Sequence, residues 1–225
     1  MTKLRLIGDV HGHYDQYVTL AKAADRTIQL GDLGFDYDCL KELDPERHKV
    51  LAGNHDNYDN WGTSGFIHMR TGHWLGDFGV YEVPDFGPIF FVRGGYSIDW
   101  QYRVEGRTWW KDEELAYEKM QEALQLYIDT KPEFVISHEC PGSIVDPIFG
   151  QKIWDGVLLK PSMTAKLLDQ MWSNHSPKWW LFGHHHREEF VELNSTKFRC
   201  IPELGFVDFD ENKEIVYAES PQRRF

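Results

Sequence analysis

Leu4-Arg5-Leu6-Ile7-Gly8-Asp9-Val10-His11-Gly12 is a short apolar run that ends in a turn carrying an acid and an imidazole. Apolar runs bounded by turn residues read as buried strands. The same pattern returns further along. Thr27-Ile28-Gln29-Leu30 leads into Gly31-Asp32, and Val50-Leu51-Ala52 leads into Gly53-Asn54-His55-Asp56. Phe134-Val135-Ile136 leads into Ser137-His138, and Trp179-Trp180-Leu181-Phe182 into Gly183-His184-His185-His186. Ligands of open α/β sheets bind beyond the carboxyl ends of the strands. Strand ends that each carry Asp, Asn or His therefore predict a shared metal centre along the end of one sheet.

Outward from these runs, residues 13–24 place Tyr17, Leu20, Ala21 and Ala24 at helical spacing, and a short helix is expected near 37–43. With strands over 3–8, 26–31 and 48–53, this is the alternation of a parallel sheet. From Gly65 to Gly95 the texture turns to glycine-punctuated, aromatic strands such as Phe78–Val83 and Ile89–Arg93. A long helix is expected from Asp112, as N-cap, to Tyr127. Glu113 and Glu114 then occupy the first turn, at the positive end of the dipole. Leu115, Met120, Ala123, Leu124 and Tyr127 form its apolar stripe. A strand over 133–137, a helix over 162–172 and a strand over 178–183 follow. The tail from 188 to 218 reads as three or four antiparallel strands, turning at Asn194-Ser195 and at Asp210-Glu211-Asn212. The expected architecture is α/β: a two-sheet β-sandwich flanked by helices in four layers. Because the donor-bearing segments run from Asp9 to His186, one domain over residues 1–225 is expected.

Composition weighs against some partners. The formal charge of −12 disfavours a binder of long nucleic-acid duplexes, which would normally show a basic face, but leaves room for a local basic pocket for one phosphate group. The 41% hydrophobic content, with nine Trp and fourteen Phe, suffices for a substantial core. Cys39, Cys140 and Cys200 are odd in number and unclustered, which argues against a zinc-type pairing or a disulfide framework. Reduced thiols, an opening strand that leaves no room for a signal peptide, and no apolar run of about 20 residues predict a cytoplasmic protein without a membrane partner. The sequence carries no signal for oligomeric state. Cys140 is expected to be small and buried, and His68, His73 and His175 to be surface residues.

Asp9, His11, Asp32, Asn54, His138, His184 and His186 are too many donors for one ordinary ion. They suit two ions about 3.5–4 Å apart that share an anion such as Asp32. Without thiolates, imidazole and carboxylate ligation points to Mn, Fe or Zn. At these residues the chain resembles the calcineurin-like metallophosphoesterases, which include Ser/Thr protein phosphatases, purple acid phosphatases, nucleases and phosphodiesterases. Their signature of Asp-x-His, Gly-Asp, Gly-Asn-His-Asp/Glu, His and Gly-His-x-His is present in order. The resemblance implies one metal on Asp9, His11, Asp32 and His186, another on Asp32, Asn54, His138 and His184, and no ligand role for His185. It also implies a pair of divalent ions, with Mn the first choice, and a phosphoester substrate attacked by a metal-bridging hydroxide. His55 is the natural general acid for the leaving group, with Asp56 its adjacent carboxylate.

The segment Gly31-Asp32-Leu33-Gly34-Phe35-Asp36 departs from the protein-phosphatase pattern Gly-Asp-x-Val-Asp-Arg-Gly, because it has no arginine. Another group must then meet the phosphate. The stretch from Arg93 to Arg103, rich in Tyr and Trp, supplies guanidinium groups suited to phosphate, so Arg93 or Arg103 is expected at the substrate. The leading function is a phosphatase of broad or protein Ser/Thr-phosphatase-like specificity. The alternatives are a phosphodiesterase for cyclic nucleotides or short nucleic acids, and an inactive metal-binding interaction module.

Overall fold

In the strand Leu4–Ile7 (β1), successive side chains alternate between faces, as the pleat requires. Leu4 and Leu6 enter one apolar cluster, while Ile7 enters another. The computed structural model describes residues 3–60, 72–150, 153–154, 157–158 and 161–220. After β1 come α1 (Tyr14–Lys22), β2 (Thr27–Gln29), β3 (His48–Val50), β4 (Phe78–Val83) and β5 (Gly87–Val92). Next are α2 (Tyr117–Thr130), β6 (Phe134–Ser137), α3 (Val145–Phe149), β7 (Ile153–Trp154) and β8 (Val157–Leu158). The described chain ends with α4 (Met163–Asn174), β9 (Trp179–Phe182), β10 (Glu189–Leu193), β11 (Thr196–Cys200), β12 (Phe206–Phe209) and β13 (Ile215–Glu219).

The strands form a five-stranded sheet, β13-β12-β1-β2-β3, a six-stranded sheet, β10-β11-β9-β6-β5-β4, and a small β7-β8 pair. Strands β1, β2 and β3 run parallel, as do β5, β6, β9 and β11. The donor-bearing strands therefore divide between two sheets, which corrects the expectation of a single one. Local periodicity identifies a strand but not its neighbour, and here partner choice spans almost the whole chain. The bidentate Arg5–Asp208 pair, at 2.8 and 2.9 Å, joins residues 203 positions apart.

Alternation then stacks the layers. Leu4, Leu6 and Ile28 of the first sheet meet Phe91, Phe134 and Leu181 of the second in one core. The opposite face of the second sheet, with Phe90, Val135 and Trp180, packs on Met120, Ala123 and Tyr127 of α2 and on Leu168 and Met171 of α4. Tyr17, Val18 and Ala21 of α1 cover the outer face of the first sheet. Phe134 ties the two sheets together, edge-on to Phe86 at 5.2 Å and to Phe209 at 5.1 Å. Phe134→Ala is expected to cost about 3–5 kcal/mol of stability. A lower denaturant midpoint at unchanged m-value checks it.

Three sequence expectations need correction. The long helix begins at Tyr117, not at Asp112, because tertiary contacts capture the segment before it. The Asp112 carbonyl accepts from Arg93 Nη1 at 2.9 Å, the Glu113 carbonyl accepts from the Gly95 N–H at 3.3 Å, and the Glu113 side chain is buried against Ser97. Residues 111–113 form only a single 3₁₀ turn. The tail is not wholly antiparallel, since β11 pairs parallel to β9 while β12 and β13 join the other sheet. His73 is buried rather than exposed, its Nε2 donating to the Leu43 carbonyl at 3.1 Å. His68 and the start of the expected glycine-punctuated segment, residues 65–71, lie outside the described residues. The expected turn at Asn194-Ser195 is present, with φ of 48° and 67°, the left-handed pair that suits a two-residue hairpin. No helix among the described residues is long and apolar enough to cross a membrane.

Candidate metal centre

The carboxyl ends of β1, β2, β3, β6 and β9 open onto one edge of the sandwich, and the turns after them bring the donors together. Several of these turns are held in the left-handed region that side chains other than glycine rarely adopt: φ is 47° at His11, 59° at Asp32, 64° at His184 and 52° at His186. Four of the ten left-handed non-glycine residues among the described residues are thus predicted donors. Two glycines make the approach possible. A Cβ at Gly53 would overlap the Asp32 carboxylate, and one at Gly183 the Asp9 carboxylate.

Asp9, His11, Asp32 and His186 offer ligand atoms within 4.8 Å of one another. His186 Nε2 lies 3.0 Å from Asp9 Oδ2, and His11 Nε2 lies 2.9 Å from His186 Nε2. His11 Nε2 is also 3.7 Å from Asp32 Oδ2. On the other side of Asp32, Oδ1 sits 3.3 Å from His138 Nε2. His138 Nε2 and His184 Nδ1 in turn lie 3.0 and 2.9 Å from Asn54 Oδ1. All seven sequence-predicted donors thus converge in two groups that share Asp32.

The donor chemistry fits cations. The Leu30 carbonyl, 2.8 Å from His138 Nδ1, only accepts, so that nitrogen carries the proton and Nε2 presents a lone pair. It presents this to Asn54 Oδ1, another lone pair. Asp32 Oδ2 is buried without a hydrogen-bond partner. Lone pairs facing each other in a dry site are unfavourable unless a cation lies among them. Charge points the same way. Burial alone raises the Asp9 carboxyl, but His11 and His186 hold it well below the usual carboxylate range. Burial alone lowers His11, yet Asp9 and Asp32 push it up to about 9. At pH 7 the metal-free ring is therefore protonated, whereas a metal ligates neutral imidazole. Loading a divalent ion near pH 7 is expected to release about one proton from His11, an effect that disappears as pH rises past 9. Calorimetry in buffers of different ionisation enthalpy measures it.

The other sequence-predicted residues are placed as follows. His55 stands at the cleft beside the donors, its ring centroid 5.2 Å from that of His11. Arg103 reaches it, with Nη1 3.0 Å from His55 Nδ1 and Nη2 2.9 Å from His55 Nε2. The same guanidinium is clamped by Asp99, at 2.7 and 2.8 Å. Burial first, and then the Arg103 charge, bring His55 down to about 4, against the opposing pull of Asp32. Asp56 is not placed as a partner of the His55 ring. Its buried carboxylate accepts the backbone N–H of Gly53 at 2.7 Å, Asp32 at 2.9 Å and Gly34 at 3.3 Å, so it splices two donor loops together. Burial and the neighbouring Asp32 push it up to about 8, against the pull of those amides. Arg93 is not brought to the cleft. It is buried, bonded to Asp77 at 2.6 Å, and its guanidinium lies 4.6 Å from the Tyr58 ring centroid.

A cleft of about 550 Å³ opens beside the donors, and its lining includes Asp32, His55 and Arg103 together with the apolar Ile98, Val145 and Ala165. Sequence reasoning missed three residues around it: Asp99, Ser97 and Glu139. Only Glu139, adjacent to His138, carried a local signal.

The calcineurin-like phosphoesterase family model matches residues 2–188. A dimetal phosphatase from Danio rerio superposes with a TM-score of 0.53, at 13% identity over 92% of each chain. The phosphopantetheinyl hydrolase of Mycobacterium tuberculosis gives a TM-score of 0.48, at 14% identity over 89% of each chain. An archaeal phosphodiesterase gives a TM-score of 0.43, at 12% identity over 96% of this chain and 99% of that one. Such identities speak to the fold alone. No curated protein matches the chain significantly.

Proposed function

We propose that this chain, which belongs to the calcineurin-like phosphoesterase family and is a metal-dependent phosphoric ester hydrolase, works with a dinuclear centre as a phosphatase of broad specificity. The observation that carries the reading is the convergence of seven donors in two groups on Asp32. The first ion falls to Asp9, His11, Asp32 and His186, and the second to Asp32, Asn54, His138 and His184, with Mn the expected metal and Fe or Zn as alternatives. When bound, such a pair acidifies a water and neutralises phosphoryl charge.

The chain's own residues do the rest. Arg103, pre-oriented by Asp99 and facing the cleft, is the guanidinium available to a phosphoryl oxygen. It takes the place of the arginine missing after Asp32. His55 is the proton donor to the leaving oxygen. Its depressed value belongs to the substrate-free site, where burial and Arg103 act on it. An entering phosphate anion sets negative charge against both groups, which favours the protonated His55 ring. The apolar lining residues Ile98, Val145 and Ala165 offer burial to an uncharged alcohol moiety.

The test is a Mn-supplemented panel: an aryl phosphomonoester, a bis-aryl diester, phosphopeptides, cyclic nucleotides and single-stranded nucleic acid. Monoesters are expected to lead, and Asn54→Ala and His138→Ala to abolish turnover of every true substrate. Arg103→Ala is expected to raise KM for phosphomonoesters by about 10–100-fold, the worth of a charge-assisted hydrogen bond of roughly 1.5–3 kcal/mol. An unchanged specificity constant in that variant removes Arg103 from the substrate, and a diester preference overturns the phosphatase reading.

A further inference from the structure

We infer that Glu139 and Glu113, buried carboxylates outside the donor set, are positioning residues that fix His184 and Asn54 in the orientation the second ion requires. The inference rests on the two-ion reading above.

His184 has two faces. Its Nδ1 points at Asn54 Oδ1, while its Nε2 lies 3.1 Å from Glu139 Oε2. A carboxylate only accepts, so Nε2 carries the ring proton and Nδ1 is left as a lone-pair donor. Glu139 is itself held. Its Oε1 accepts the backbone N–H of Cys140 at 2.9 Å and lies 3.1 Å from His185 Nε2. One carboxylate thus spans consecutive imidazoles and gives His185, which the two-ion reading does not use as a ligand, a place in the architecture.

Asn54 is set by a longer relay. An amide can present either end to the ions, and only its oxygen is useful there. Glu113 Oε1 accepts the Ser97 backbone N–H at 2.8 Å, and Glu113 Oε2 accepts the Ser97 hydroxyl at 2.6 Å. Having donated its hydrogen to Glu113, Ser97 Oγ can only accept from Asn54, and Asn54 Nδ2 lies 3.1 Å away. The amide nitrogen is committed to that side, so Oδ1 faces His138 and His184. The buried Glu113 side chain thereby decides which atom of Asn54 is the ligand, although it lies two hydrogen bonds from the ion.

The experiment is a calorimetric Mn titration of the metal-stripped full-length chain at pH 8, above the value of about 7 to which burial pushes Glu113. The native chain is expected to show two binding events. Glu139→Ala and Ser97→Ala should each weaken one of them by about 10–100-fold and leave the other unchanged. Glu139→Gln, whose amide oxygen can still accept from His184 Nε2, should recover most of the loss. Thermal melts establish that each variant is folded, and Ser97→Ala carries the test should Glu139→Ala not fold. Equal weakening of both events means general loosening and overturns the inference, as do folded variants that keep both affinities. If the native chain binds a single ion, the two-ion reading itself has failed. If it binds two and the variants do too, only the positioning roles have failed.

Discussion

On the proposed two-ion reading, Asp32→Asn is expected to leave a folded protein that no longer holds two divalent ions and hydrolyses no phosphoester above background. Asp32 is buried, and it is the carboxylate that reaches both donor groups, with Oδ1 3.3 Å from His138 Nε2 and Oδ2 3.7 Å from His11 Nε2. Two dications about 4 Å apart repel by roughly 16 kcal/mol at an effective dielectric near 20. A shared negative charge offsets much of that, and an amide does not. Turnover falls with the ions, because water without them returns from a pKa of about 7 toward 15.7, lowering the nucleophile by about eight orders of magnitude at neutral pH. Elemental analysis of the purified variant, beside turnover of an aryl phosphate, checks both parts. A variant that keeps two ions shows that Asp32 is not their bridge.

His55→Ala is expected to separate substrates by their leaving groups. For alkyl phosphates the leaving alkoxide needs a proton, and loss of the general acid should lower kcat by about 10²–10⁴-fold. For a nitrophenyl phosphate, whose phenolate departs without protonation, the loss should be far smaller. A uniform fall across both classes would mean that the ring only supports the site. Arg103→Ala offers a companion result. With that cation gone, one of the influences that lower His55 disappears, so its protonation should move back up toward the ordinary imidazole range, visible in the ring resonances as pH is varied.

The candidate phosphate-binding arginines show where a sequence stops informing. Arg93 and Arg103 sit in one aromatic stretch and look equivalent as letters. Asp77 and Tyr58 draw Arg93 into the interior, whereas Asp99, one helical turn before Arg103, holds that guanidinium over His55. Asp56 teaches the same point. Adjacent to His55 in the chain, it turns the other way and binds the N–H groups of Gly53, Asp32 and Gly34. Chain adjacency fixes a distance along the backbone, not the direction of a side chain.

The donor-bearing strands, the turns that end them and the donor types were legible in the amino-acid order, because burial, strand periodicity and turn chemistry are written in neighbouring residues. From Asp9-Val10-His11, Gly31-Asp32, Gly53-Asn54, Ser137-His138 and Gly183-His184-His185-His186 alone, a metal centre at strand ends was legible. Long-range packing assigns these strands to two sheets, stops residues 111–113 short of the helix, and sets Glu139 and Glu113 behind His184 and Asn54. Those outcomes depend on contacts between segments far apart in the chain, such as Ser97 with Asn54 and His138 with Leu30. The free energy of such contacts exists only once the core has brought the segments together.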